Sequence, residues 1–221
     1  MAVTSEGVAA GLAEVRSRIE AVGGDWRTIT LVAVTKDFGF DAVLAALANG
    51  IQDCGENRAQ AIPSRALSGH RAVDKVRWHY LGRVQRNKVG RLAPYVHLWQ
   101  AVDRAAAGEE IAKHAPGAAV LVQVNVSGEP QKHGCRPEES SGLVGQLREL
   151  DLDVRGLMTV GPTGPPDVAR PGFRLLRQLA DELGLPERSM GMTDDLEVAV
   201  EEGTTMVRVG RALFGPRQST T

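Results

Sequence analysis

The sequence has few cysteines and no excess of charge of either sign. Its 221 residues include two cysteines, Cys54 and Cys135, which form no CxxC pair. This argues against a disulfide framework and a zinc site, and it is typical of thiols in a reducing, cytoplasmic compartment. The 26 Lys and Arg residues balance 27 Asp and Glu residues. Because nucleic-acid binders usually carry a basic excess, this balance argues against such a partner.

Long apolar runs are also missing. No stretch approaches the roughly 18 apolar residues that a membrane span requires. The N-terminal segment contains acidic residues and no unbroken apolar core, so we predict neither a signal peptide nor a membrane partner. Hydrophobic residues make up 43% of the chain. This content and the length fit one domain spanning residues 1–221.

The hydrophobic pattern alternates between short β-rich runs and helical segments. In front of them, Val8, Leu12, Val15, Ile19 and Val22 mark one face of an extra N-terminal helix. Eight strands alternating with helices predict an α/β fold, a closed (β/α)₈ barrel. An open doubly wound sheet is the alternative, but no strand is followed by a Gly-rich dinucleotide fingerprint. The predicted strands are 29–35, 51–55, 76–81, 96–102, 119–126, 154–160, 189–192 and 205–209, and the helices between them are 42–49, 58–67, 85–92, 104–114, 137–150, 173–183 and 196–202.

Two features are expected at the carboxyl ends of the strands, where barrels carry their functional groups. Lys36 follows the first strand, and partial desolvation there would free its amine to attack a carbonyl. A lysine that ends a strand is, alternatively, a solvated surface residue. The Pro- and Gly-rich stretch 161–172 fits a long loop on the same face.

The C-terminal third suggests a phosphate site. The segments SMGMTDD (189–195) and VRVGRALFG (207–215) follow the last two strands, where barrels often bind phosphate. Gly210 permits close backbone approach, and Ser189 or Thr193 can add a hydroxyl. The glycine can equally serve tight-turn packing. A strand-end lysine with a phosphate site predicts a phosphorylated carbonyl ligand, as in sugar-phosphate aldolases and pyridoxal phosphate proteins.

Several segments, in one order through nearly the whole chain, carry a family resemblance. The chain resembles the pyridoxal phosphate homeostasis proteins, which are similar to the barrel domain of alanine racemases. The resemblance implies that Lys36 holds pyridoxal 5'-phosphate (PLP) as a covalent imine and that Arg208 faces the pyridine nitrogen. It also implies PLP contacts from further residues: Ser189, Gly210 and Arg211 around the phosphate, and Asn57 and His79 near the ring or the mouth. The matching segments are LVAVTK (31–36), DCGENRAQ (53–60), RWHYLGRVQRNK (77–88), QVNVSGEPQKHG (123–134), GLMTVGP (156–162) and 189–215.

The chain also departs from the family pattern. Asp37, Phe38 and Gly39 follow the reactive lysine, where relatives often have a second lysine and a proline. This puts in doubt any relay through a neighbouring amine. Lys132 matches a second lysine seen in relatives, which can offer another imine site or be an exposed loop lysine.

Three functions are open at this stage. The resemblance implies a PLP carrier or buffer that delivers PLP to apoenzymes without metabolic turnover. A two-base racemase needs a second acid or base opposite the lysine, and in racemases a further all-β domain delivers a tyrosine. Here the sequence ends six residues after Gly215 and contains only Tyr80 and Tyr95 as tyrosines. We therefore expect a monomeric carrier, with a racemase and a Schiff-base aldolase as alternatives.

Overall fold

The computed structural model describes residues 3–216. Eight parallel strands close into a barrel in chain order, and the eighth strand pairs with the first. This confirms the predicted fold class. The strands are Thr30–Val34 (β1), Asp53–Glu56 (β2), Arg77–Tyr80 (β3), Val96–Val102 (β4), Ala119–Gln123 (β5), Asp153–Met158 (β6), Glu187–Ser189 (β7) and Met206–Val209 (β8).

Helices surround the barrel and connect its strands. Short 3-10 helices lie at Trp26–Thr28, Arg71–Lys75, Pro137–Glu139 and Pro166–Ala169. Within residues 3–216, no helix is both long and apolar enough to cross a membrane. The α-helices are Ser5–Ala21 (α1), Phe40–Ala48 (α2), Ala61–Ala66 (α3), Arg86–Leu92 (α4), Ala105–His114 (α5), Ser140–Glu149 (α6), Arg170–Glu182 (α7), Leu196–Glu201 (α8) and Arg211–Phe214 (α9).

The predicted N-terminal helix supports the carboxyl end of the barrel. Its apolar face is buried, as the periodicity predicts. A Cβ on Gly11 would lie 2.3 Å from the Ala212 carbonyl oxygen, so α1 packs directly on α9. Arg18 of α1 donates to the Thr193 carbonyl at 2.8 Å and to both carboxylate oxygens of Glu197. The helix therefore fixes the loops that follow β7 and β8.

Several predicted element bounds differ from those of the structure. The strand expected at 189–192 is β7, which ends at Ser189, and Gly191 beyond it has a φ of 94°. That conformation is unfavourable within a strand for most residues but open to glycine. The strand predicted at 119–126 ends at Gln123, and the next residue forms an isolated bridge to Cys135. The helix expected to start at residue 58 begins at Ala61.

Candidate functional site

A cavity of about 440 Å³ opens at the carboxyl ends of the strands. Its size lies within the range of about 300–1,000 Å³ that is typical of small-ligand pockets. The predicted loop 161–172 supplies one wall, up to Ala169. The polar and charged side chains that line it are Lys36, Asn57, Thr163, Thr193, Asp194, Asp195, Arg208 and Arg211.

Lys36 lies in the cavity wall, where the sequence predicts it. It follows β1 by two residues and is half-buried. Asp37 after it adopts a left-handed backbone with a φ of 67°. Aspartate is among the few residues other than glycine that adopt this conformation readily. The Asp37 carboxylate also accepts a hydrogen bond from Arg58 at 2.9 Å. The chain therefore turns sharply just beyond the lysine.

A buried ion pair holds the loop that carries Lys36. Arg65 donates through Nη2 to the carbonyls of Thr35 at 3.2 Å and Phe38 at 2.8 Å. The same nitrogen lies 3.2 Å from a carboxylate oxygen of Glu56, which also accepts from the Thr35 hydroxyl at 2.6 Å. Burial raises the pKa of Glu56, while Arg65 and Thr35 oppose that shift. Arg65 therefore stabilises both a buried carboxylate and the lysine loop.

Arg208 forms the floor of the cavity. It is 5% exposed and belongs to β8. Its Nη1 donates to the Ser189 hydroxyl and its Nη2 to the Thr159 carbonyl, both at 2.7 Å. Burial lowers its pKa to about 10, and the nearby Asp195 carboxylate opposes the shift. The guanidinium therefore remains charged near neutral pH and acts only as a donor.

The loops after β7 and β8 supply the predicted anion site. Thr193, Gly210 and Arg211 line the cavity together. The N–H groups of Leu213 and Phe214 donate to the Gly210 carbonyl, which starts α9. The first amides of a helix have no acceptor within it and can bind an anion. The Arg211 side chain is paired with Asp194.

Ser189 and His79 are not brought to the cavity wall. Ser189 ends β7 with its side chain inside the barrel, where its hydroxyl donates to Gln100 and accepts from Arg208. His79 is 2% exposed, and its Nε2 lies 2.9 Å from Asp53 Oδ1. The resemblance implies a phosphate contact for Ser189 and a place near the ring or the mouth for His79; in the structure neither side chain lines the cavity, because both turn into the barrel interior. Thr193, the other hydroxyl considered, does line the cavity.

The remaining predicted residues lie at the rim. Asn57 lines the cavity, and Gly82 packs on its backbone so closely that a Cβ on Gly82 would lie 2.3 Å from the Asn57 carbonyl oxygen. Lys132 does not line the cavity. Its Nζ donates to the carbonyl of Gly161, a lining residue, and lies 2.5 Å from a Glu129 carboxylate oxygen. With 17% of its side chain exposed, Lys132 is bonded to the rim rather than freely solvated.

Comparison with known proteins identifies the family. A sequence model of the alanine racemase N-terminal domain matches residues 12–218. The pyridoxal phosphate homeostasis protein of Pseudomonas aeruginosa is 37% identical over 98% of this chain and 97% of its own length. The chain belongs to the pyridoxal phosphate homeostasis protein family. The human pyridoxal phosphate homeostasis protein is 34% identical, over 85% of this chain and 76% of its own length.

Solved structures of family size superpose closely. PipY from Synechococcus elongatus, solved with PLP bound, has a TM-score of 0.80 and 30% identity, and the match covers 94% of this chain and all of PipY. An unknown protein from Bifidobacterium adolescentis has a TM-score of 0.86 and 32% identity, and the match covers 95% of this chain and 94% of that one. An alanine racemase from Clostridium difficile shares the fold, with a TM-score of 0.75 at 15% identity, and the match spans 59% of that chain.

Several residues that shape the site escaped the sequence analysis. Arg65 and Glu56 carry no motif that marks them as a pair. Gln100, inside the barrel between His79 and Ser189, has none either. Asp195 has a signal in the sequence, since an aspartate directly before a helix is a typical capping residue, although its side chain makes no hydrogen bond to α8. Its carboxylate accepts a hydrogen bond from the Met192 amide at 2.6 Å.

Proposed function

We propose that the chain binds PLP in this cavity through an imine to Lys36 and serves in intracellular PLP homeostasis as a carrier or buffer. The observation that carries the proposal is that Lys36, Arg208 and the Gly210 loop line one cavity. An amine, a donor for a ring nitrogen and a set of backbone amides match three of the polar groups of PLP. Its aldehyde would meet Lys36, its pyridine nitrogen Arg208, and its phosphate the loop around Thr193, Gly210 and Arg211.

The charge of Arg208 favours storage over turnover. Arginine can only donate, so it disfavours a protonated pyridine nitrogen and leaves the ring a weak electron sink. PLP enzymes that stabilise a carbanion commonly place a carboxylate there instead. The bound cofactor would supply an aldehyde that reacts reversibly with an amine. The protein would limit its reaction with other amines by covering it.

A second acid or base for racemisation is not evident. The Tyr80 hydroxyl lies 3.4 Å from the Arg83 carbonyl, and the ring packs against Trp99 with centroids 5.6 Å apart, outside the cavity lining. Burial also raises the pKa of Tyr80. Among described lining residues, the carboxylates are Asp194, paired with Arg211, and Asp195, which accepts a hydrogen bond from the Met192 amide. We therefore propose that racemase and aldolase turnover are absent.

The covalent assignment is tested by borohydride reduction of the PLP-loaded protein. The visible absorption band should disappear, and peptide mass spectrometry should find the fixed adduct on Lys36. Lys36→Ala should abolish the band, and Lys132→Ala, the matched control on the rim, should keep it. An adduct mainly on Lys132 would show the assignment to be wrong.

Carrier and enzyme are separated by two assays on the loaded protein. One follows the chirality of L-alanine and other L-amino acids, where turnover of about 1 s⁻¹, at the low end for enzymes, that vanished in Lys36→Ala would refute the carrier. The other mixes the loaded protein with a PLP-dependent apoenzyme and measures recovered activity. Recovery supports delivery, and failure of both assays leaves sequestration.

The same proposal includes the setting in which the protein acts. We propose that residues 1–221 form one binding domain that acts as a cytoplasmic monomer, with PLP and PLP-dependent apoenzymes as partners and no nucleic acid. Its first two and last five residues lie outside the described range. The motivations are the balanced charge and the unpaired thiols. Light scattering on a gel-filtration column, with and without PLP, measures the oligomeric state.

A further inference from the structure

A hydrogen-bonded row of buried polar side chains, which we call the polar chain, crosses the barrel interior beneath the cavity. Arg208 Nη1 donates to Ser189 Oγ at 2.7 Å, and Ser189 Oγ donates to Gln100 Oε1 at 2.7 Å. Gln100 Nε2 lies 2.7 Å from His79 Nδ1, and His79 Nε2 lies 2.9 Å from Asp53 Oδ1. The five residues come from five strands. Hydrogen-bonded neighbours in the polar chain are as far as 89 sequence positions apart, as in the pair of Ser189 and Gln100. One end of this chain lines the proposed PLP cavity.

The two ends fix the direction of every hydrogen bond between them. Arg208 has no acceptor, so Ser189 Oγ must accept from it and give its single proton to Gln100. That contact requires the Gln100 oxygen and turns the amide nitrogen toward His79. His79 Nδ1 must then accept, which places the ring proton on Nε2. Nε2 in turn donates to the Asp53 carboxylate, which has no proton to give when ionised.

Side contacts support the same assignment. Gln100 Nε2 lies 3.0 Å from the Met206 sulfur, an acceptor without a proton, so both hydrogens of the amide are used. Burial opposes ionisation of Asp53, but hydrogen bonds from Arg77 and His79 outweigh it and lower the pKa of Asp53 below its usual range. The ionised Asp53 is therefore a fixed acceptor. Reversing any link would leave a buried donor or acceptor without a partner.

We propose that Gln100 and His79 are positioning residues that hold the Arg208 guanidinium in one orientation toward the ligand cavity. The hydrogen-bond directions of the polar chain require His79 to be neutral with its proton on Nε2. Charged or titratable groups facing that ring are Asp53, Arg77 and His97, whose ring centroid lies 6.1 Å away. The effect on bound PLP rests on the proposed function, whereas the His79 tautomer is a property of the protein alone.

The tautomer is tested first, on the protein without PLP. In ¹⁵N NMR of the assigned His79 ring at pH 7, Nε2 should carry the proton and Nδ1 should not. Gln100→Glu puts a second acceptor opposite Nδ1, so the ring should gain a proton there and show the imidazolium pattern. A proton on Nδ1 in the wild type, or an unchanged ring in Gln100→Glu, would refute the assigned directions of the hydrogen bonds in the polar chain.

The positioning role is tested with PLP. Gln100→Leu removes the acceptor for the Ser189 hydroxyl, so Arg208 should lose its fixed orientation. PLP affinity should fall about tenfold, the effect of one lost buried hydrogen bond, with a shifted visible band. Gln100→Glu keeps the acceptor for Ser189 and should retain the band and most of the affinity.

Gln123→Leu is the matched control. Gln123 is also buried in the barrel, but its amide donates to the His133 carbonyl, which is not part of the polar chain. Its band and PLP affinity should stay at wild-type values. Equal loss in Gln100→Leu and Gln123→Leu, or none in either, would overturn the positioning role. Should Gln100→Leu not fold, loss of the band in Gln100→Glu would contradict the proposal and its retention would support it. A wild type without PLP binding would refute the proposed function and leave the tautomer result standing.

Discussion

The two ends of the barrel interior are built from different parts of the chain. At the mouth, Lys36, Thr193 and Gly210 come from loops that follow strands, and other elements hold those loops in place. Toward the base, Gln100 and Asp53 come from the strands themselves and are almost fully buried. Loops can vary without disturbing the barrel, whereas strand side chains are fixed by register. The groups proposed to bind PLP therefore lie at the mouth, and the buried polar packing lies toward the base.

Arg208 belongs to both regions. It lines the cavity at the mouth and starts the polar chain that runs to the base. Changes at the mouth should therefore alter ligand binding with little effect on stability. Changes at the base should alter stability directly and ligand binding only through Arg208. Substitutions that violate this division are the most informative ones.

Arg65→Met should give the largest effect and break the division, because it is a mouth residue that supports folding. The substitution leaves the Glu56 carboxylate, with 1% of its side chain exposed, without its charged partner. Breaking a buried pair typically costs about 3–5 kcal/mol of unfolding free energy, measured by urea denaturation. PLP binding should weaken too, because the Lys36 loop loses its anchors.

The control for Arg65→Met is Arg58→Met. Arg58 pairs with Asp37 on the same loop, but 72% of its side chain is exposed, so the loss should be about 0–1 kcal/mol. A group whose pKa is raised by folding stabilises the folded protein less as the pH rises through that pKa. Arg65 limits the rise in the pKa of Glu56. The defect should thus be smaller in acid, and adding Glu56→Gln should recover much of it. A defect independent of both would show that Glu56 is not the cause.

Asp53→Asn should have the next largest effect, at the base. An amide can accept from His79 or Arg77 through one oxygen only, and its NH₂ group meets another donor. An unpaired buried group of this kind costs about 1–3 kcal/mol. The pKa of Asp53 is lowered in the folded protein, so its stabilisation is present above the unfolded pKa and lost as pH falls through the folded value.

The comparison for Asp53→Asn is Asp153→Asn. Asp153 starts β6 and pairs with Arg155, and half of its side chain is exposed. Its replacement should change the unfolding free energy by less than about 1 kcal/mol at any pH. The gap between the two variants should narrow as the pH is lowered toward the folded pKa of Asp53. A constant gap would mean that the carboxylate charge is not the source of the stabilisation.

The sequence predicts the mouth better than the base. Lys36 and Gly210 follow strands whose apolar runs are clear, and barrels place such residues at one face. The polar chain through Gln100 could not be predicted, since it depends on which side chains of each strand point into the barrel. A shift of one residue reverses that face, and β7 ends at Ser189, where the predicted strand began. The Ser189 side chain lies inside the barrel, bonded to Gln100 and Arg208.

Gly210→Val should have the smallest effect on stability and sharpens the division from the mouth. A Cβ at Gly210 would lie 3.3 Å from the Val34 carbonyl oxygen, so the larger side chain must crowd the end of β1 beside Lys36. We expect the loop to shift and its amides to leave their positions. The predicted phosphate site would then weaken while the lysine amine remains.

Affinities for PLP and for unphosphorylated pyridoxal separate these effects of Gly210→Val. PLP binding should fall by about tenfold, the loss of roughly one charge-assisted hydrogen bond, and pyridoxal binding should fall much less. Gly142→Val is the control, because a Cβ there meets nothing within 4 Å, on α6. Equal losses for both ligands in Gly210→Val would place the phosphate elsewhere. They would indicate that crowding at β1 acts on Lys36, so that the lysine and the Gly210 loop behave as one unit at the mouth.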